Sequence, residues 1–167
     1  YDLSTSVSAG STIDFIANKI ANNGNDMTSF NPTITLVGAM GAVTNLSAAA
    51  AGANGVTLSF TEVSDGAEQP AKYDVRFSSS GALWGGAPSV AQGTCASPLA
   101  GTTVGATKTC TVLGLSSAKA YQFQLVPFRG TLGAGAVFGA LSNIAGATIS
   151  TGTDVMPPTK PGNFRTR

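Results

Sequence analysis

The chain has 167 residues, room for one domain plus a fragment, and nine Lys or Arg against eight Asp or Glu give a net charge of +1. Charged residues make up only 10% and hydrophobic ones 43%, so hydroxyls, amides or partner molecules must cover much of the surface. With no histidine and no basic stripe, a Ser-His-Asp or Cys-His device within the chain is ruled out, and nucleic acid is not an expected partner. No apolar run approaches the ~20 residues that a membrane-spanning helix needs. The first residue is Tyr1 rather than Met, as expected of a processed protein or a piece of a longer one.

Residues 1–41 read as a first β section. Ser11–Ala17 (STIDFIA) and Pro32–Val37 (PTITLV) alternate in polarity, and the Asn- and Gly-rich stretch Asn18–Asn31 between them is loop composition. Two or three strands cannot bury a sheet face alone, so this section is expected to borrow a partner surface within or beyond the chain. Gly38–Ala42 reads as a hinge.

Residues 42–150 read as one domain of seven short strands. These are Val43–Ala48, Val56–Val63, Lys72–Ser78, a weak fourth at Ser89–Cys95, Thr109–Leu113, Tyr121–Phe128, and a last strand within Val137–Ile149 broken near Gly139 or Gly146. Alternation places Val56, Leu58 and Phe60 on one face. In the same way it places Tyr73, Val75 and Phe77 inward, with Lys72, Asp74 and Arg76 outward. Turn signals at Asp65-Gly66, Gly85-Gly86 and Gly133–Gly135 separate the strands, and this spacing without a helical period predicts an all-β sandwich. Residues 151–167, with Met156-Pro157-Pro158-Thr159-Lys160-Pro161, read as an extended linker leading into a possible next module.

Several of these segments together resemble a fibronectin type III domain, the seven-stranded immunoglobulin-like sandwich. They are VTNLSA at Val43–Ala48, GVTLSFTEV at Gly55–Val63, PAKYDVRF at Pro70–Phe77, GLSSAKAYQFQLVPF at Gly114–Phe128 and LSNIAGATI at Leu141–Ile149. The spacing of Leu115 to Tyr121 is similar to the family's tyrosine corner. Two departures are visible. Phe60 stands where many members carry Trp, and GTLGAGAVFG at Gly130–Gly139 contains no Arg-Gly-Asp, so integrin-type adhesion gains no support. Residues 1–41 resemble the closing strands of a carbohydrate-binding-type jelly roll. The resemblance implies a multi-module bacterial protein that is secreted or at the cell surface.

Candidate sites follow. Cys95 and Cys110 are the only cysteines, and an even count in an extracellular-looking fold favours a disulfide over two buried thiols or a metal site. A Cys pair without His does not complete a tetrahedral shell. Asp14, Asn25 and Asp26 are hard-oxygen candidates for calcium, although their spacing is not that of an EF-hand, and an Asn-rich loop capping its own backbone is the plainer reading. No other cofactor is expected. Trp84 beside Gly85-Gly86 either stacks on a sugar ring or covers an open edge of the core. Gln122, Gln124 and Phe128 lie on the outward face of their strand and mark a ligand or partner surface, unless the loop Ala82–Pro98 covers them. Asn45-Leu46-Ser47 fits the N-glycosylation pattern. Glu62, Asp65 and Glu68 read as a solvated turn rather than a glycosidase pair.

The expected function is therefore non-catalytic. It is that of an extracellular structural or adhesive module, a subunit of a surface or filamentous assembly joined by β-strand pairing to other subunits or neighbouring modules. The alternative is an accessory carbohydrate-binding or spacer module of a secreted polysaccharide-active enzyme, with glycans as partners.

Overall fold

A computed structural model describes residues 38–81 and 84–151, together with Thr5 and Ile13. The chain divides into two units, Tyr1–Ile34 and Thr35–Arg167, and every strand described belongs to the second. The expected N-terminal strands, the calcium candidates Asp14, Asn25 and Asp26, and the Pro-rich tail lie outside the described residues.

The fold is all-β, with no helix among the described residues. Its strands are β1 (Ser47–Ala50), β2 (Val56–Thr61), β3 (Lys72–Ser78), β4 (Leu99–Ala100), β5 (Thr107–Val112), β6 (Lys119–Thr131), β7 (Ala134–Phe138) and β8 (Ala145–Ile149). They form two antiparallel sheets. One has the order β1-β2-β5, and the other β4-β3-β6-β7, with β8 also paired to β6.

The core lies between the sheets and follows from period-2 alternation. In β2, Val56, Leu58 and Phe60 are buried while Thr57, Ser59 and Thr61 are half-buried. Each such side chain contributes roughly 1.5–3 kcal/mol on leaving water. Tyr73 and Val75 of β3, Val112 of β5, and Phe123 and Leu125 of β6 meet them in the same buried cluster. Phe60 packs edge-on against Tyr73, ring centroids 4.8 Å apart. Ring against ring thus fills the position where a larger indole was an alternative.

The strand list departs from expectation in three places. β1 begins at Ser47 rather than Val43, because Asn45 replaces a backbone pair with its side chain. Its Oδ1 accepts from Thr61 N (3.0 Å) and its Nδ2 donates to Thr61 Oγ1 (2.8 Å). Ser89–Cys95 is not a strand. Ser89 makes only an isolated bridge to Arg76, and the fourth strand is Leu99–Ala100, just after a cis Ser97-Pro98 bond. The last segment is two strands rather than one broken strand. β7 pairs with the distal half of β6 and β8 with its proximal half.

Candidate functional site

The expected disulfide is present, joining Cys95 to Cys110 across a separation of 15 residues. Both cysteines are buried, and the bond fastens the segment before β4 to the outer edge of β5. That edge is then closed by hydrogen bonds. Cys95 N donates to Thr111 O (2.9 Å), Leu113 N to Gln92 O (3.1 Å), and Thr111 N to Thr94 Oγ1 (2.8 Å). Gly93 makes this approach feasible. Its φ is +90°, and a Cβ there would collide with the Thr111 carbonyl.

Glu62 reinforces the same flank, contrary to its expected place in a solvated turn. Its side chain is buried and pairs with Lys108 Nζ at 2.9 Å. It also accepts from Thr102 N (2.7 Å), from Thr102 Oγ1 (3.0 Å) and from Thr103 N. Burial pushes the carboxyl up, but Lys108 and the amides of Thr103 and Thr102 outweigh it and hold Glu62 below the ordinary glutamate value. Asp65 accepts instead from Ala67 N (2.8 Å) and Gln69 N (3.2 Å), capping its own turn. The three acids do not converge, and no group of three or more metal-ligating side chains occurs among the described residues.

The outward face of β3 and β6 is largely covered. Asp74 is 1% exposed and accepts from Ser89 Oγ (2.7 Å) and Arg76 Nε (3.0 Å). The Arg76 guanidinium lies 4.4 Å from the centroid of the Trp84 ring, and Trp84 itself is 37% exposed. Trp84 therefore sits under a cation on the outer face and is not in the core cluster. Phe128 corrects the expected surface: it is fully buried, its ring 5.8 Å from that of Phe138 on β7. A sixth strand alone predicts an outward Phe, but Phe138, directly opposite on the neighbouring strand β7, packs against it. Gln124 is occupied structurally, its Nε2 donating to Ser142 O (2.9 Å), whereas Gln122 remains exposed.

Near Gln122 lies a shallow cleft of about 340 Å³, bounded by Phe77, Tyr121, Pro88, Ser78 and Ser80. Its side chains are apolar, hydroxylic or aromatic, with no charge. The Tyr121 hydroxyl is engaged at its back, accepting from Ser116 N at 3.0 Å.

The opposite flank, made by β1, β7 and β8, has a different character. From Gly130 to Ser150, and from Gly38 to Thr61, the sequence has no charged residue. The two sheets meet there through Asn143. Its Oδ1 accepts from Leu46 N and its Nδ2 donates to Leu46 O, both at 2.8 Å. Val137 (48%), Phe138 (51%), Leu141 (42%) and Ile144 (53%) are exposed along this flank. Sequence reading missed it because β7, AGAVF, has the small-residue composition of a turn. The signal that was available is the long charge-free run itself.

No protein-family model matches the chain, and no curated protein is significantly similar to it in sequence. Among the described residues no helix is long and apolar enough to cross a membrane.

Proposed function

We propose that this chain is a non-catalytic extracellular structural module that assembles by β-strand pairing. The observation that carries this is the charge-free flank with its four exposed apolar side chains. Natural edge strands are often guarded by charges or prolines, and β1, β7 and β8 carry neither, which suits them to pairing. A disulfide of two buried cysteines fits an oxidising, extracellular setting.

A fibronectin type III-like topology belongs to the same proposal. Support comes from the order β1-β2-β5 opposite β4-β3-β6, with β7 and β8 together occupying the place of one last strand. The bond from Ser116 N to the Tyr121 hydroxyl adds the corner expected at the start of the sixth strand.

The uncharged cleft beside Gln122 favours a second reading, carbohydrate binding, since an aromatic and hydroxyl lining suits a neutral sugar. One experiment separates the two. The purified chain is followed by light scattering over a concentration series and by affinity electrophoresis in polysaccharide gels. Concentration-dependent assembly without retardation is the expected result. A monomer retarded by polysaccharide, with retardation lost in Ser80→Trp, which fills the cleft from its exposed rim, would replace assembly with sugar binding.

A further inference from the structure

We infer that Asn54, in the turn between β1 and β2, is a self-modifying residue: in the folded chain its side-chain amide condenses with the backbone nitrogen of Gly55 and is converted to aspartate or isoaspartate.

Three asparagines lie among the described residues, and their surroundings differ. The side chain of Asn45 bonds to Thr61 through both its oxygen and its nitrogen, and that of Asn143 bonds to Leu46 in the same way. Each is also followed by a branched side chain, Leu46 or Ile144, which crowds the next backbone nitrogen. Asn54 differs on both counts. It is exposed, no hydrogen bond to its side chain occurs among the described residues, and Gly55 follows it. Residues 51–55 read AGANG, and residues 51–54 are all exposed. Gly52 has a φ of +76° with open space beside it, so no side chain pins the tip of the turn. The Gly55 carbonyl accepts from Ala51 N (2.9 Å), but its own N–H has no acceptor among the described residues.

The chemistry needs water alone. The Gly55 nitrogen loses its proton to hydroxide and attacks Cγ of Asn54. A bond from that nitrogen to Cγ forms, the bond from Cγ to Nδ2 breaks, and the nitrogen leaves as ammonia after taking a proton from water. The cyclic imide then adds one water at either carbonyl, giving aspartate or isoaspartate. Attack requires the Asn54–Gly55 peptide to turn, which releases the bond from Leu115 N to Asn54 O (3.1 Å). Losing one such bond slows the reaction by no more than about tenfold relative to a free chain.

The product bears on the core. Isoaspartate adds a methylene to the main chain and turns the carbonyl held by Leu115 into a pendant carboxylate. Gly55 offers no slack, since even a Cβ there would meet Ala51 O at 2.9 Å and Leu113 Cδ2 at 3.2 Å. The change is therefore transmitted to Leu115, which is buried next to the bond from Ser116 N to the Tyr121 hydroxyl. It also places a charge in residues 38–61, which otherwise have none.

The full chain is aged in mildly alkaline buffer, folded and in urea. Conversion at each asparagine is read by mass spectrometry of fragments, with isoaspartate labelled by an isoaspartyl methyltransferase. Scoring by fragment separates Asn54 from Asn23-Gly24, which lies outside the described residues. Asn54 should convert in the folded chain at a rate within about tenfold of that in urea, while Asn45 and Asn143 stay intact. Asn54→Gln, shown to fold by circular dichroism, should lose the signal at that position. The isoaspartate form, separated by anion exchange, should lose hydrogen-exchange protection at Leu115 and Ser116. An Asn54 that converts in urea and stays intact in the folded chain overturns the inference, because the fold then shields the pair. Conversion without loss of protection at Leu115 keeps the site and overturns its link to the core.

Discussion

Glu62 takes a full charge into the flank of the sandwich, and three kinds of donor hold it there: an ammonium, two backbone amides and a hydroxyl. Replacing it with Gln leaves Lys108 without its counter-charge and weakens the bonds to Thr102 and Thr103. Glu62→Gln should therefore lower stability by about 2–4 kcal/mol at neutral pH. The pH dependence follows from the lowered carboxyl value. In the unfolded chain Glu62 takes up its proton at the ordinary glutamate value, and in the folded chain only at lower pH. Its contribution is complete above the unfolded value and is lost as pH falls through the folded one. Urea midpoints measured from pH 7 downward should show the wild-type and variant curves converging in acid; parallel curves would exclude the carboxylate as the source. Nothing around Glu62 in sequence announces this role. Its partners Thr102 and Thr103 lie 40 and 41 residues further on, and Asp65 and Glu68 beside it resemble an ordinary polar turn. Tyr73 is shifted the other way: burial pushes its phenol up, the Val63 amide pulls it only partly back, and Glu62 adds to the rise.

At the scale of elements, the strands with strong alternation were legible and those made of small residues were not. β2 and β3 could be read nearly to the residue, because Val56, Leu58 and Phe60, or Tyr73 and Val75, must share a face to leave water. β7 could not, since Ala134, Gly135 and Ala136 carry little side-chain signal and the neighbour that makes them a strand is β6. The false strand at Ser89–Cys95 has a related cause. Its residues do run beside other strands, but Gly93 with positive φ and the side chain of Thr94 make the contacts in place of a regular ladder. The disulfide gives that segment its position. Removing it by Cys95→Ala with Cys110→Ala should cost about 2–4 kcal/mol. Hydrogen exchange should show the amides of Cys95 and Leu113 losing protection before those of β2 and β6. Uniform loss across all strands would mean that the bond supports the whole core and not this edge.

At the largest scale, charge among the described residues is segregated along the sequence and hence in space. The charged residues of the described strands and turns fall between Glu62 and Arg129, whereas β1, β7 and β8 have none. That asymmetry was present in the sequence, but its meaning required the topology that gathers β1, β7 and β8 on one side. Asn143 is the joint of that side, satisfying both backbone groups of Leu46 with one amide. Asn143→Ala should destabilise the fold by about 1–3 kcal/mol. By freeing the backbone next to β1 it should also increase self-association, read as a shift of the light-scattering transition to lower concentration. Destabilisation without such a shift would confine Asn143 to holding the sheets together.

The covalent loop between Cys95 and Cys110 has a mechanical consequence. When an oxidised molecule is pulled from its two ends, the residues inside that loop cannot pay out. With a separation of 15 residues, about 50 Å of contour length stays locked until the bond is reduced. In a pulling experiment, adding reductant should lengthen the unfolding step of this sandwich by that amount. The loop is thus a reserve of extension gated by redox conditions.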